Sequence, residues 1–158
     1  MQYLLMALCV VGITAADQLT KYLTVQNIPL GGRVDAIDGL FHFTYCQNTG
    51  AAFSAFQGMQ WLFALIFLLF TLAIIWEFKR KKLPFTTFER WLIICIYAGG
   101  LGNMIDRVRL GYVVDMIEVD FMRFAVFNVA DCFITCGCIL LVAHLLIFNK
   151  AFWKDEKK

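Results

Sequence analysis

The sequence predicts an α-helical integral membrane protein with four transmembrane helices, and three observations carry that reading. First, 61% of its 158 residues are hydrophobic and 16% charged, against about half apolar and a quarter charged in soluble domains. Mean hydropathy is +0.71. Second, four stretches, 1–16, 39–76, 91–105 and 132–148, carry no Asp, Glu, Lys or Arg. Third, Lys and Arg are unevenly placed. Nine of them (Lys79, Arg80, Lys81, Lys82, Arg90, Lys150, Lys154, Lys157 and Lys158) cluster after the second and fourth stretches. Five (Lys21, Arg33, Arg107, Arg109 and Arg123) follow the first and third. Positive charge stays in the cytoplasm, so both termini are cytoplasmic and the helix count is even. A net charge of +2 without a basic amphipathic face excludes a nucleic-acid partner.

The first helix is placed at 3–23. Thr14-Ala15-Ala16 looks like a signal-peptide cleavage site, but no positive segment precedes it and apolar residues continue at Leu19, Tyr22 and Leu23, so the helix is read as uncleaved. The second is placed at 58–77, its aromatic stripe facing lipid, the third at 90–107 and the fourth at 127–149. A span needs about 20 apolar residues. The first, third and fourth stretches fall short, so Asp17, Asp106 and Asp131, which close them, are predicted at the membrane edge or slightly inside.

Two outer connections, 24–57 and 108–126, and two inner segments, 78–89 and 150–158, complete the chain. In the first outer connection an Asp38-Gly39 turn separates Val34-Asp35-Ala36-Ile37 from the β-rich run 40–45, the strongest short signal for a hairpin. A small sheet at the interface follows, with some of Phe41, Phe43, Tyr45, Phe53 and Phe56 among the headgroups. In the second, Gly111-Tyr112-Val113-Val114 reads as extended.

The topology collects polar groups at one depth: Asp17 and Lys21, Asn48 to Phe53, Asn103 with Asp106 and Arg107, Asp115, and Asn128 with Asp131. Ionisable residues in a membrane mark a site by default. Each also has a plainer reading. Asp17 and Lys21 are four apart and form a neutralising helix pair. Asn128 and Asp131 have the spacing of a helix cap. Asp106 stands beside Arg107 as an ionised, paired carboxylate. Asp115 and Asp131 are flanked by apolar residues, and two carboxylates brought together in such surroundings share one proton. They make the better acid/base pair. Small residues at Ala98, Gly99 and Gly102 let a neighbouring backbone approach the third helix.

Other chemistries find little footing. Five of the six cysteines lie in apolar spans, where thiols behave as small hydrophobes. His42 and His144 fall on opposite sides of the membrane, and neither H-E-x-x-H nor G-x-S-x-G occurs. No metal site and no cofactor is predicted.

Five blocks in order closely resemble the lipoprotein signal peptidase (signal peptidase II) family. They are Asp17-Gln18-Leu19-Thr20-Lys21, Asn48-Thr49-Gly50-Ala51-Ala52-Phe53, the run 99–107 (GGLGNMIDR), Val113-Val114-Asp115, and Phe127-Asn128-Val129-Ala130-Asp131. The resemblance implies a bacterial inner-membrane aspartic peptidase with a periplasmic β-cradle and a short periplasmic helical element, its active site facing the periplasm. It implies Asp115 and Asp131 as the catalytic dyad, with Asp17, Lys21, Asn48, Gly50, Asn103, Asp106, Arg107 and Asn128 shaping the site or touching substrate. The implied substrate is a diacylglyceryl-modified prolipoprotein, cut before its lipidated lipobox cysteine, with membrane lipids as surroundings and globomycin as inhibitor. Two other readings of the residues stand beside it. One is a small carboxylate-relay transporter or channel, although nothing continues the ionisable groups across the membrane. The other is a non-catalytic scaffold using the glycine face of the third helix.

Overall fold

The computed structural model describes residues 1–50 and 56–153. In chain order they form α1 (Gln2–Asn27), β1 (Arg33–Ile37), β2 (Phe41–Asn48), α2 (Gln60–Arg80), α3 (Thr87–Leu110), β3 (Val113–Val119) and α4 (Val129–Ile147), then a short 3-10 helix at Lys150–Trp153. By length and composition α1, α2 and α4 are able to cross a membrane. The polar helix, α3, packs against all three of the others, with α4 and α1 its main neighbours. An enclosed position is the least costly one for a helix that buries Glu89, Asn103 and Asp106.

Small residues make this close packing possible. Ala98 is fully buried. A Cβ at Gly99 would stand 2.5 Å from the Ala130 carbonyl oxygen, and one at Gly102 would strike the Asp17 carboxylate. The second helix contributes more to the interior than its predicted lipid-facing stripe allows. Phe67 stacks on Tyr97 of α3 with ring centroids 5.2 Å apart, while Trp61 and Leu65 remain exposed.

The helix ends follow local chemistry. The first helix continues past its predicted end at 23 because nothing breaks it before Pro29. The residue preceding a proline leaves helical backbone, and Ile28 is extended at φ −120, ψ 122. The third helix starts earlier than predicted, behind a capping box in which the Thr86 hydroxyl accepts from Glu89 N and the Glu89 carboxylate accepts from Thr86 N. It ends at Gly111, which takes the left-handed conformation at φ 80 rather than opening a strand. The fourth begins behind Asn128.

The predicted hairpin forms. Leu40 N donates to Ile37 O at 3.0 Å across Asp38-Gly39, with Gly39 at φ 71. The strand order is β1-β2-β3, antiparallel throughout. A bulge in β2 decides what the sheet presents. Phe43 opposes Ile117 and Cys46 opposes Asp115, so Thr44 and Tyr45 together face the single residue Met116. One extra residue reverses the alternation of faces beyond it. Asn48 therefore shares a face with Cys46 and Asp115, and would point away from Asp115 in a regular strand. The bulge also turns Tyr45 into a core with Ile28, Val114 and Met116, so Tyr45 does not belong to the predicted headgroup belt. Phe43 and Phe56 are exposed, and Phe53 lies outside the described residues. Among the described residues of the two outer connections, the implied short helical element is not found.

At the opposite end of the bundle, buried Glu89 accepts from His144 Nδ1 at 2.8 Å and from Asn149 Nδ2 at 2.7 Å, clasping α3 to the end of α4.

Candidate active site

The C-terminal ends of α1 and α3, the N-terminal end of α4 and the bulged face of the sheet meet at one end of the bundle. All ten residues singled out in the sequence are brought into contact there or one residue away. Lys21 is the hub. Its ammonium lies 2.9 Å from Asp17 Oδ2, 2.9 Å from Asp106 Oδ2 and 2.8 Å from Asn103 Oδ1. An ammonium has three hydrogens, and each has a buried acceptor. Asp17 and Lys21 are thus the predicted helix pair, held together with a third charge.

Asp106 departs from the prediction. Its partner is Lys21, not Arg107. Adjacent helical residues point in directions about 100° apart, so Asp106 faces α1 while Arg107 faces α2. Asp106 also accepts from Gln18 Nε2 at 2.8 Å and from Val114 N at 3.1 Å, tying α1, α3 and β3 together. Arg107 lies over the Phe63 ring at 4.3 Å and donates to the Gly50 carbonyl at 2.9 Å. Gln18 is the residue that sequence reasoning missed. It also reaches the Gly102 carbonyl at 3.1 Å, and its only signal was its place inside the first block.

Three asparagines connect this hub to the two aspartates, and the same device orients each. An amide whose oxygen is occupied by a donor must present its NH₂ elsewhere. Asn48 Oδ1 accepts from Gly50 N at 2.9 Å, leaving Nδ2 to donate to Asp115 Oδ2 at 2.9 Å. Asn103 Oδ1 accepts from Lys21, leaving Nδ2 to donate to Asp131 Oδ1 at 2.7 Å. Asn128 Oδ1 accepts from Asp131 N at 3.0 Å, leaving Nδ2 to donate to Asp115 Oδ1 at 2.6 Å and to Asn103 Oδ1 at 3.1 Å. The Asp131 carboxylate in turn accepts from Asn128 N at 3.2 Å. The plain reading of Asn128 and Asp131 as a helix cap therefore holds. The helix cap is the device that fixes Asp131 and aims an amide at Asp115.

Burial, joined by the neighbouring Asp131 charge, pushes the Asp115 carboxyl up from 3.8 to about 6, against the opposing pull of the Asn48 and Asn128 amides. Asp115 is 2% exposed and Asp131 is half-buried. Both line an apolar cavity of about 600 Å³ enclosed by α2, α3 and α4, with Phe63, Phe67 and Phe70 on its α2 wall. Those phenylalanines thus face the cavity rather than lipid alone. A second, more polar cavity of about 920 Å³ lies over the sheet and reaches Asp115 from the other side. Asp115, Asn48 and residues 124–126 border both. An extended chain whose apolar part occupies one cavity and whose polar part occupies the other passes Asp115 at the junction, with Asp131 on the apolar side. Among the described residues, no group of three His, Cys, Asp or Glu is arranged to hold a metal ion.

The family described as signal peptidase (SPase) II matches residues 9–147. Lipoprotein signal peptidases of Streptococcus pyogenes are similar over nearly the whole chain. That of serotype M2 is 43% identical over 153 residues, covering 96% of this chain and 95% of the relative, and that of serotype M5 is 42% identical with the same coverage. A solved structure described as a bacterial membrane enzyme superposes with a TM-score of 0.85 at 32% identity, covering 97% of this chain and 93% of that one. A second so described gives 0.81 at 32%, covering 90% and 93%.

Proposed function

The chain belongs to the signal peptidase II family, and on that premise we propose that it is an aspartic endopeptidase whose dyad is Asp115 and Asp131. It is a bacterial membrane protein that removes signal peptides from prolipoproteins. The observation that supports the dyad is the convergence of three oriented asparagine amides on these two carboxylates, at the junction of an apolar and a polar cavity. The carboxylate-relay alternative has no comparable support, because the aspartates gather at one end of the bundle.

The chemistry follows from two carboxylates that share one proton. Asp115, the more buried, holds the proton and donates a hydrogen bond to the scissile carbonyl oxygen. Ionised Asp131 takes a proton from water, whose oxygen attacks the carbonyl carbon and gives a tetrahedral diol. The C–N bond breaks as a proton passes to the departing amine. The asparagine amides cannot accept that proton, so they steady the carboxylates without entering the transfer. Lys21 balances Asp17 and Asp106 and holds Asn103 in the orientation Asp131 requires.

The substrate is a diacylglyceryl-prolipoprotein cut before its lipidated cysteine. The four helices span the bacterial inner membrane with both termini cytoplasmic and the dyad at the periplasmic interface. Globomycin competes for the same cleft. Each buried CH₂ contributes about 0.8 kcal/mol to membrane partitioning, so two acyl chains hold the scissile bond at the depth of the dyad. One lipobox peptide, offered with and without diacylglycerol in the same lipid mixture, tests this. Turnover of the lipidated form is expected to exceed that of the bare peptide by about a hundredfold or more. Equal rates would refute the interfacial placement.

The pair also sets the pH dependence. Activity requires the singly protonated dyad, so kcat/KM is bell-shaped and its two limbs belong to the pair. With Asp115 at about 6, the alkaline limb of kcat/KM is expected near that pH, and that of kcat higher once substrate excludes water. Folding stability has a matching sign. Between about pH 4 and 6 the folded chain keeps a proton that the unfolded chain has released, so this group's contribution falls as pH rises. A kcat/KM that stays level from about pH 5 to 8 would contradict the shared proton.

A further inference from the structure

His42 is 3% exposed and plays no part in the chemistry above. Both its ring nitrogens face carboxylates: Nδ1 lies 2.9 Å from Asp120 Oδ1 and Nε2 lies 2.8 Å from Glu118 Oε2. A carboxylate only accepts, and a neutral imidazole has only one N–H. Two such contacts at once require the imidazolium. The surrounding charges agree. Asp35 of β1 and Glu118 of β3 both stand opposite His42 in the sheet register, and Arg33 of β1 reaches Asp120 at 3.1 Å and Asp35 at 2.8 Å. Three carboxylates and one arginine thus face the ring, an excess of negative charge that the imidazolium partly offsets.

What this tie holds is the start of residues 121–126. Asp120 stands immediately before them, its N donating to the Leu40 carbonyl at 3.0 Å. At the other end Phe127 bridges to Ile117, with N···O distances of 2.8 Å and 3.0 Å. Between these two anchors the segment lines the polar cavity throughout, and residues 124–126 line the apolar one as well. It is the common wall of the two cavities that meet at Asp115.

We propose that His42 is a positioning residue for substrate: its ring, held at both nitrogens, clamps the 121–126 strap over the cleft, and loss of the ring loosens the strap and weakens substrate binding. This rests on the reading of the cleft as the substrate site.

The test compares His42→Gln with wild type in KM, in kcat and in tryptic cleavage at Arg123, an exposed residue of the strap. The dyad contributes alike to both proteins, so the KM ratio isolates His42. That ratio is expected to be about tenfold, the size of one lost charge-assisted hydrogen bond. Cleavage at Arg123 near pH 6 is expected to quicken by a similar factor, with kcat little changed. A KM ratio near one, or a fall in kcat as large as the rise in KM, overturns the proposal, and the second marks a merely structural histidine. Should His42→Gln fail to fold, Asp120→Asn breaks the tie from the other side and faces the same criteria. A wild-type chain without activity on the lipidated peptide would refute the peptidase reading, and cleavage at Arg123 would still judge the clamp.

Discussion

Asp115→Asn and Asp131→Asn are each expected to lower turnover by about a thousandfold or more while leaving the fold intact. Asparagine keeps the size and shape of aspartate, and its single amide oxygen retains one of the two side-chain positions at which each carboxylate accepts a hydrogen bond. It offers no group that takes a proton from water or returns one to the leaving amine. Asp115→Asn also removes a buried ionisable carboxyl, so its folding stability is expected to equal or exceed that of wild type above about pH 6, where burial disfavours the charged form. Loss of turnover with retained stability is the signature of a catalytic group. Substantial activity in either purified variant would remove that residue from the dyad.

The second large effect is expected at Lys21. Replacing it with Met preserves much of the volume and leaves two buried carboxylates, Asp17 and Asp106, without their common cation. Removing one partner from a buried ion pair costs about 3–5 kcal/mol. Thermal unfolding in detergent is therefore expected to move markedly downward. The double variant Lys21→Met with Asp106→Asn is expected to recover part of the loss, since one unpaired charge is then gone. Turnover is expected to stay low in both, because Asn103 loses the donor that fixes its amide towards Asp131. An unchanged melting temperature for Lys21→Met would refute the hub.

Much of this site was legible in the residues. The Asp38-Gly39 turn announces the hairpin, and apolar neighbours mark Asp115 and Asp131 as the unusual carboxylates. The spacing of Asn128 and Asp131 announces a cap, and the structure turns that cap to a second use. What escaped was geometry that adjacency in the chain conceals. Asp106 and Arg107 look like a pair in sequence, yet helical rotation sends them to different neighbours. The β2 bulge has no signal in the run 41–48, and it alone places Asn48 beside Asp115. The unbroken continuation of α1 to Pro29 was hidden because polar residues after Lys21 resemble an exit from the membrane. His42 gave no sign of its role, because Glu118 and Asp120 lie 76 and 78 residues away and reach it only through strand register.

The most direct test of the two-carboxylate peptidase is a product analysis. The purified protein is incubated with a diacylglyceryl lipobox peptide in excess EDTA, beside Asp115→Asn, and the products are weighed by mass spectrometry. The account predicts two fragments from the wild-type chain, the lipid staying on a new N-terminal cysteine, and none from the variant. Cleavage at another bond, cleavage by the variant, or a chelator-sensitive activity restored by zinc would contradict it.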